Sequence, residues 1–363
     1  MTAIERIETS VFTVPLDEAE SDGTLRWDRT TLAVVQAHAG GEVGLGYTYG
    51  PAACAAVARD MLADVVVGRE ATDIQGAWTA MVRAIRNAGR PGIASMAIAA
   101  VDVALWDLKG KLLGLPLFRL LGAVRDEVPV YASGGFTSLS ERAIEGSFAR
   151  WVLEGGFPRA KMKIGLDGGS DPHRDLDRVA IARKALGPSV ELFVDANGAY
   201  DRKQAIRVGR SLPSEGVTWF EEPVSSDDLD GLREVRNAID TDVAAGEYAY
   251  DLFGFRRLLP CVDVLQADAS RCAGISEWLR ASALAASAGI EVSGHTAQSI
   301  HLHAACAVPN IRHLEYFADH ERVERSLFDG VVEPDAGVLR PDGDRPGLGI
   351  TLKTAEAAPY RQE

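Results

Sequence analysis

A chain of 363 residues, 47% apolar and 25% charged, has the composition of a soluble globular protein large enough for a barrel or for two packed domains. Its formal net charge of −14 repels nucleic-acid phosphates and anionic lipid headgroups, which sets both aside as partners. Cys54, Cys261, Cys272 and Cys306 form no CxxC pair, Met1 to Arg6 begins no apolar signal segment, and Gly92 to Leu108 is interrupted by Asp102 and Asp107. These features read as reduced thiols in a cytoplasmic protein with no membrane span.

The first 50 residues read as strands. Ile4 to Val14 alternates loosely, Asp17 to Asp28 is a polar loop, and Thr30 to Ala37 is β-rich. Gly40-Gly41 holds a hairpin position before Val43 to Tyr47. From Ala52 to Leu121 apolar residues recur three and four apart, which predicts helices broken at Gly89 to Gly92. This makes an α+β domain over residues 1–125.

After Arg125 short β-rich runs alternate with helical stretches. Val128–Ala132, Ala160–Ile164, Val190–Val194, Val217–Phe220, Asp242–Ala245, Val262–Gln266, Ile290–Ser293 and Arg312–Leu314 are the predicted strands. Helices such as Pro172–Leu186, Arg202–Leu212 and Ile275–Ala288 lie between them. Eight repeats of this alternation predict a closed parallel barrel over residues 126–327. The Gly- and Pro-rich segment 328–363 is expected to leave the barrel and return to the N-terminal domain.

The polar residues fall at one position of each unit. Lys161 and Lys163 share a face of the second strand; Asp195, Glu221, Glu247 and Asp268 close the next four; His295 and Glu315 follow the last two. The steps from Lys163 are 32, 26, 26, 21, 27 and 20 residues, each about one βα unit, so all converge at the C-terminal mouth. Taken singly each has a plainer reading: Asp195 or Asp268 as a helix N-cap, His295 as a packing residue, Glu221-Glu222 as a solvated loop edge. The plain readings must all hold together to account for the pattern.

Asp195, Glu221 and Glu247 form an all-oxygen, three-carboxylate set on adjacent strands, which suits Mg²⁺. A metal also explains how so acidic a protein holds a small carboxylate substrate. The lysines and His295, its tautomer set by Asp268, then supply bases on two sides. Proton removal α to the carboxylate makes an enolate, and a protonated Glu315 is expected to donate a hydrogen bond to one of its oxygens.

These residues lie in the runs Lys161-Met162-Lys163, Val194-Asp195-Ala196-Asn197, Phe220-Glu221-Glu222-Pro223, Gly246-Glu247, Asp268 with Arg271 and Gly274, Gly294-His295 and Leu314-Glu315. With Ala100 to Lys111 they make the chain resemble the enolase superfamily, and within it the mandelate racemase subgroup. Ala273 departs from that pattern, where a second glycine often precedes Gly274. The resemblance implies a modified (β/α)₇β TIM barrel with an α+β capping domain. It further implies Mg²⁺ on Asp195, Glu221 and Glu247, and Asn197 near metal or substrate. Lys163 is then the base on one face with Lys161 as its electrostatic partner, His295–Asp268 serve the other face, and Glu315 binds the substrate carboxylate. A homo-oligomer is expected.

The barrel residues do not choose among reactions. The polar cap segment Asp17 to Asp28 favours an acid sugar, hence dehydration of an aldonate or aldarate to a 2-keto-3-deoxy acid. The alternatives are a racemase or epimerase of a 2-hydroxy acid and, more remotely, a non-catalytic sugar-acid binding protein.

Overall fold

The computed structural model describes residues 2–362. Three antiparallel strands open the chain: β1 (Arg6–Ser21), β2 (Arg26–Ala39) and β3 (Glu42–Tyr49). Gly40 and Gly41, at φ 59° and 82°, make the two-residue turn that pairs Ala39 with Glu42. Both φ values are positive, as a type I′ turn demands and glycine permits.

One expectation is corrected here. Asp17 to Asp28 is not a loop, because β1 and β2 run on through it to a tight turn at Asp22. The Asp22 carboxylate accepts from the backbone of Thr24 (2.6 Å) and Leu25 (2.7 Å), closing that turn. Extra residues in β1 between Pro15 and Glu20 bulge the ladder and bend the hairpin. Its tip is clamped to the barrel: Thr137 N donates to Ser21 O at 2.8 Å and Gly168 N to Gly23 O at 3.0 Å. A Cβ on Gly23 would stand 2.8–3.0 Å from three barrel carbonyl oxygens, so only glycine approaches so closely.

The helical stretch ends in Ile93–Leu113, a 21-residue helix buried along most of its length. Its two acids act as staples. Asp102 accepts from Ser276 N (3.0 Å) and Ser276 Oγ (2.6 Å) at the start of the helix Ile275–Ser287. Asp107 accepts from Leu45 N in β3 and Leu348 N in the C-terminal segment. No helix among the described residues is long and apolar enough to cross a membrane.

Eight parallel strands close the barrel: β4 (Val128–Gly134), β5 (Arg159–Lys163), β6 (Glu191–Asp195), β7 (Val217–Glu221), β8 (Asp242–Ala245), β9 (Val264–Ala267), β10 (Glu291–Gly294) and β11 (Ile311–Phe317). They pair in chain order and β11 closes on β4. Helices link successive strands, and a further helix, Ala318–Leu327, follows β11. Glu315 therefore lies within the eighth strand and not beyond it, because pairing with β4 extends that strand to Phe317.

Several barrel helices start on aspartates whose carboxylates accept a backbone N–H of the first turn: Asp171, Asp201, Asp228 and Asp251. Asp195 and Asp268 cap no helix. The C-terminal segment pairs Val338–Leu339 with β4, bridges Gly347 to Pro116 and Arg361 to Phe12, and so touches barrel and N-terminal sheet alike.

Candidate active site

Period-two alternation turns one residue in two of each barrel strand inward, and the register aligns those at the strand ends. Lys163 pairs with Asp195 and Asp195 with Glu221, so base and acids stand side by side on β5, β6 and β7. Glu247 lies two residues past β8, after Gly246 at φ 142°; Asp268 and His295 directly follow β9 and β10. Every expected site residue except Asn197 is almost wholly buried, and the structure brings all of them to one mouth.

One carboxylate oxygen each from Asp195, Glu221 and Glu247 can be chosen so that all lie within 4.8 Å of one another. Buried acceptors without a hydrogen-bond partner among the described residues gather at the same place, Glu222 Oε1 and Asn197 Oδ1, beside Glu247 Oε2, which faces only His295 Nε2 at 3.2 Å. A buried acceptor left unpaired costs about 1–3 kcal/mol. An oxygen-only, three-carboxylate set with spare acceptors fits a hard divalent cation.

The ends of this triad are flanked by different bases. At one end Lys163 Nζ hydrogen-bonds Asp195 Oδ2. At the other, His295 Nε2 is 3.2 Å from Glu247 Oε2, while its Nδ1 meets Asp268 Oδ2 at 2.8 Å. Asp268 is held in turn by Ser270 N and Oγ, both at 2.7 Å. Lys161 sits beneath, 2.7 Å from Glu221 and 2.8 Å from Glu315.

Burial opposes charge on every one of these groups, so the partners decide the protonation states. Burial lowers the lysines, yet Asp195 above all raises Lys163 and Glu221 above all raises Lys161, leaving both well above the ordinary lysine range. Burial also lowers His295, but Glu247 and Asp268 bring it up to about 10. Glu221 is pushed up to about 8 by burial and then by Asp195. Glu315 departs from the sequence expectation of a protonated acid. Burial raises it, but Lys161, His295 and Lys163 outweigh burial and hold it at about 2. Without a ligand its oxygens accept from Ser133 Oγ (2.6 Å) and Thr296 N (3.2 Å).

The residues open on a cavity of about 300 Å³ whose floor is barrel (Lys163, Asn197, Glu247, His295, Glu315) and whose roof is cap (Trp27, Thr30, Thr31, Tyr49). A larger hollow of about 850 Å³ lies outside the hairpin turn, against Thr137 and Asp167, and reaches none of the inward acids or bases. Chemistry, not size, identifies the site.

Sequence reasoning left Glu222 as a loop edge. It is 1% exposed, at φ 38°, with a carboxyl raised by burial and then by Glu247 and Asp195. Arg271 also gains a place, bridging Glu247 Oε1 (3.0 Å) and Asp268 Oδ2 (3.5 Å). Its spacing of three from Asp268 was the available signal.

Comparison with known proteins agrees with this geometry. Residues 10–122 match the mandelate racemase/muconate lactonizing enzyme N-terminal domain, and residues 144–357 match the enolase C-terminal domain-like family. The chain is 35% identical to L-talarate/galactarate dehydratase of Salmonella typhimurium, across 96% of this chain and 89% of that one. A structure of that dehydratase liganded with Mg and L-lyxarohydroxamate superposes with TM-score 0.92 at 32% identity, covering 100% and 93% of the two chains. It is 33% identical to 3,6-anhydro-α-L-galactonate cycloisomerase of Streptomyces coelicolor, across 96% and 97%. A mandelate racemase/muconate lactonizing enzyme-like protein from Rubrobacter xylanophilus gives TM-score 0.96 at 50% identity, covering 99% and 100%. With both of its halves matched and its barrel mouth carrying the acids and bases in register, the chain belongs to the mandelate racemase/muconate lactonizing enzyme family.

Proposed function

We propose that this protein is a Mg²⁺-dependent acid-sugar dehydratase, converting an aldonate or aldarate to a 2-keto-3-deoxy acid. The observation that carries the reading is the buried carboxylate triad flanked by Lys163 at Asp195 and by the His295–Asp268 pair at Glu247. The names of the relatives, dehydratases among them, support it.

Asp195, Glu221 and Glu247 would hold the metal. Magnesium, when bound, supplies a Lewis acid that stabilises negative charge on a substrate carboxylate oxygen. Asp195, its charge taken up as a ligand, would no longer hold Lys163 protonated, leaving burial and Lys161, which both favour the free amine. One of the flanking bases takes the α-proton and the C–H electron pair becomes the enolate π bond. The enolate then expels the β-hydroxyl, which leaves as water with a proton from the general acid. The enol ketonises with a solvent proton at C3. Lys161 pairs with Glu221 and Glu315; the substrate's own negative charge favours protonated Glu315, which then donates a hydrogen bond to the substrate carboxylate, and Asn197 lies beside metal or substrate. The cap (1–125) roofs this centre in the barrel (126–327), and the segment 328–363 ties the two.

Acid sugars incubated with enzyme and Mg²⁺ are expected to give 2-keto acids detectable as semicarbazones, with deuterium at C3 in D₂O. One observation favours a second reading. A base at both ends of the triad also suits a racemase or epimerase, which forms no keto acid and washes deuterium into the α-position. Interconversion of 2-hydroxy acid epimers without keto acid from any acid sugar would replace the first reading with the second.

A further inference from the structure

One wall of the cavity, where cap meets barrel, holds side chains the reaction does not use. His320, in the first turn of the helix after β11, is 8% exposed and borders the cavity. Its ring stacks face to face on Tyr49 of the cap, centroids 3.3 Å apart and planes 9° apart, and the Tyr49 hydroxyl donates to His320 O at 3.3 Å. The ring is thus fixed from both domains. Its Nδ1 is buried and has no hydrogen-bond partner among the described residues. A polar atom left so is costly unless a ligand completes it.

The chemistry of the wall says what that ligand is. Burial, then the charge of His295, pushes His320 well below the ordinary histidine range, so its imidazole is neutral, with one donor nitrogen and one acceptor. A hydroxyl can satisfy either nitrogen, whereas a carboxylate, which only accepts, is repelled by the second. Asp319 lies beside it, accepting from Thr30 Oγ1 of the cap and paired with Arg322 at 2.8 Å. Its remaining lone pairs accept from hydroxyls and repel an anion. The cavity's cations divide in the same way. Lys163, Arg271 and His295 are committed to buried carboxylates at the metal end. Arg29 stands at the rim, 64% exposed and already paired with Asp28 at 2.7 Å in water that screens it.

We propose that the substrate is an acid sugar with a single carboxylate, whose uncharged far hydroxyls are read by His320 and Asp319 at the seam between cap and barrel. The inference rests on the dehydratase reading and narrows it to aldonates. It runs against the aldarate named in the first relative above, so the two are separable by experiment.

The test uses the full-length enzyme with Mg²⁺ on matched pairs of hexonates and hexarates, and pentonates and pentarates, following 2-keto acid. The best aldonate is expected to exceed its matched aldarate in kcat/KM by at least about a hundredfold. His320→Phe keeps the stack and deletes the hydrogen bonds. It should lower kcat/KM on the aldonate about tenfold, mostly through KM, with the thermal midpoint unchanged. It should also erase the wild-type preference for the aldonate over its terminally deoxygenated analogue, a readout that a merely structural role would not move. His320→Gln should restore part of that preference, and Arg29→Met should change KM for the aldonate less than about twofold. Aldarates turned over as well as aldonates, with KM for the aldarate raised tenfold in Arg29→Met, would overturn the inference, place the second carboxylate on Arg29 and leave the dehydratase reading standing. An equal effect of His320→Phe on aldonate and deoxy analogue would remove His320 as the reader. Absence of keto acid from every acid sugar would take down both readings together.

Discussion

Two layers of side chains fill the barrel, two residues apart on the same strands, and they could hardly differ more. The lower layer is aromatic and neutral: Tyr131, Phe193, Trp219 and His313 stand 4.8–6.4 Å apart, ring to ring. The upper layer is Lys163, Asp195, Glu221 and Glu315, every one charged or able to be, and Lys161, in register with Phe193, reaches up to it from the level below. Phe193 and Asp195, Trp219 and Glu221, and His313 and Glu315 are successive inward residues of one strand. The floor excludes water from below, which raises the energy of every charge above it and forces those charges to find each other. The layers touch at two points. Trp219 Nε1 donates to Glu221 Oε2 at 2.9 Å, and Lys161 Nζ stands 5.3 Å from the centre of the Tyr131 ring. A dry floor under a wet mouth is what makes the mouth reactive.

The largest effects should come from the upper layer. Lys163→Ala and His295→Asn are each expected to lower kcat by at least about 10³-fold, with the fold retained. Either variant keeping near wild-type turnover on the true substrate would place the base elsewhere. Exhaustive chelation should abolish turnover, Mg²⁺ should restore it, and the thermal midpoint should rise with Mg²⁺ concentration. A midpoint blind to Mg²⁺ would argue against a site at Asp195, Glu221 and Glu247. Asp268→Asn removes the charge that orients His295 and faces Arg271, so turnover should fall about 10–100-fold with Mg²⁺ affinity nearly unchanged.

The lower layer should respond in stability first. Trp219→Ala empties a fully buried indole site and is expected to cost about 3–5 kcal/mol in denaturant unfolding. Trp219→Phe keeps most of the volume but removes one of the two donors to Glu221 Oε2, leaving Lys161 Nζ at 2.8 Å. It should unfold near the wild type while turnover falls a few-fold. A reverse pattern, large loss of activity from Trp219→Ala at unchanged stability, would mean the floor is more than a floor.

The upper layer was legible because a βα unit repeats every 20–32 residues, so an acid or base recurring at that interval must land on the mouth. The lower layer left no such trace, since inward aromatics read the same as any core residue. The cap hairpin failed for a physical reason. Asp17 to Asp28 is polar on both faces, because one side meets water and the other meets barrel backbone and cavity, and alternation disappears where neither face is dry. The run Asp319-His320 through Glu324 reads as a solvated helix face. Its partners Thr30, Tyr47 and Tyr49 lie about 270–290 residues away, and nothing local announces them. The charge state of Glu315 is not legible in the sequence, because it depends on Lys161, whose distance from it no spacing rule supplies.

Glu324 sharpens the comparison with Glu315, since both are buried acids with opposite company. Cations surround Glu315 and it is held at about 2. Glu324 has hydroxyls and the Ser299 backbone as partners: Tyr47 Oη and Ser299 Oγ each donate to it at 2.5 Å. Burial pushes it up to about 7, and the hydroxyl bonds only partly oppose this. A carboxyl raised on folding binds its proton more tightly folded than unfolded. Its contribution to stability is therefore fully present below about 4.5, falls as pH rises toward 7, and is gone above it. The span corresponds to roughly 3 kcal/mol at most. Glu324→Gln keeps the shape of the protonated acid and cannot titrate. Thermal midpoints of the two proteins should agree near pH 5 and diverge by a few degrees by pH 8, with the variant the more stable. Glu324 does not line the cavity, so turnover should change least of all the substitutions considered. Midpoints that run parallel from pH 5 to 8 would mean that Glu324 is already ionised at the seam, and that neutral donors alone can hold a buried carboxylate as cations do in the mouth.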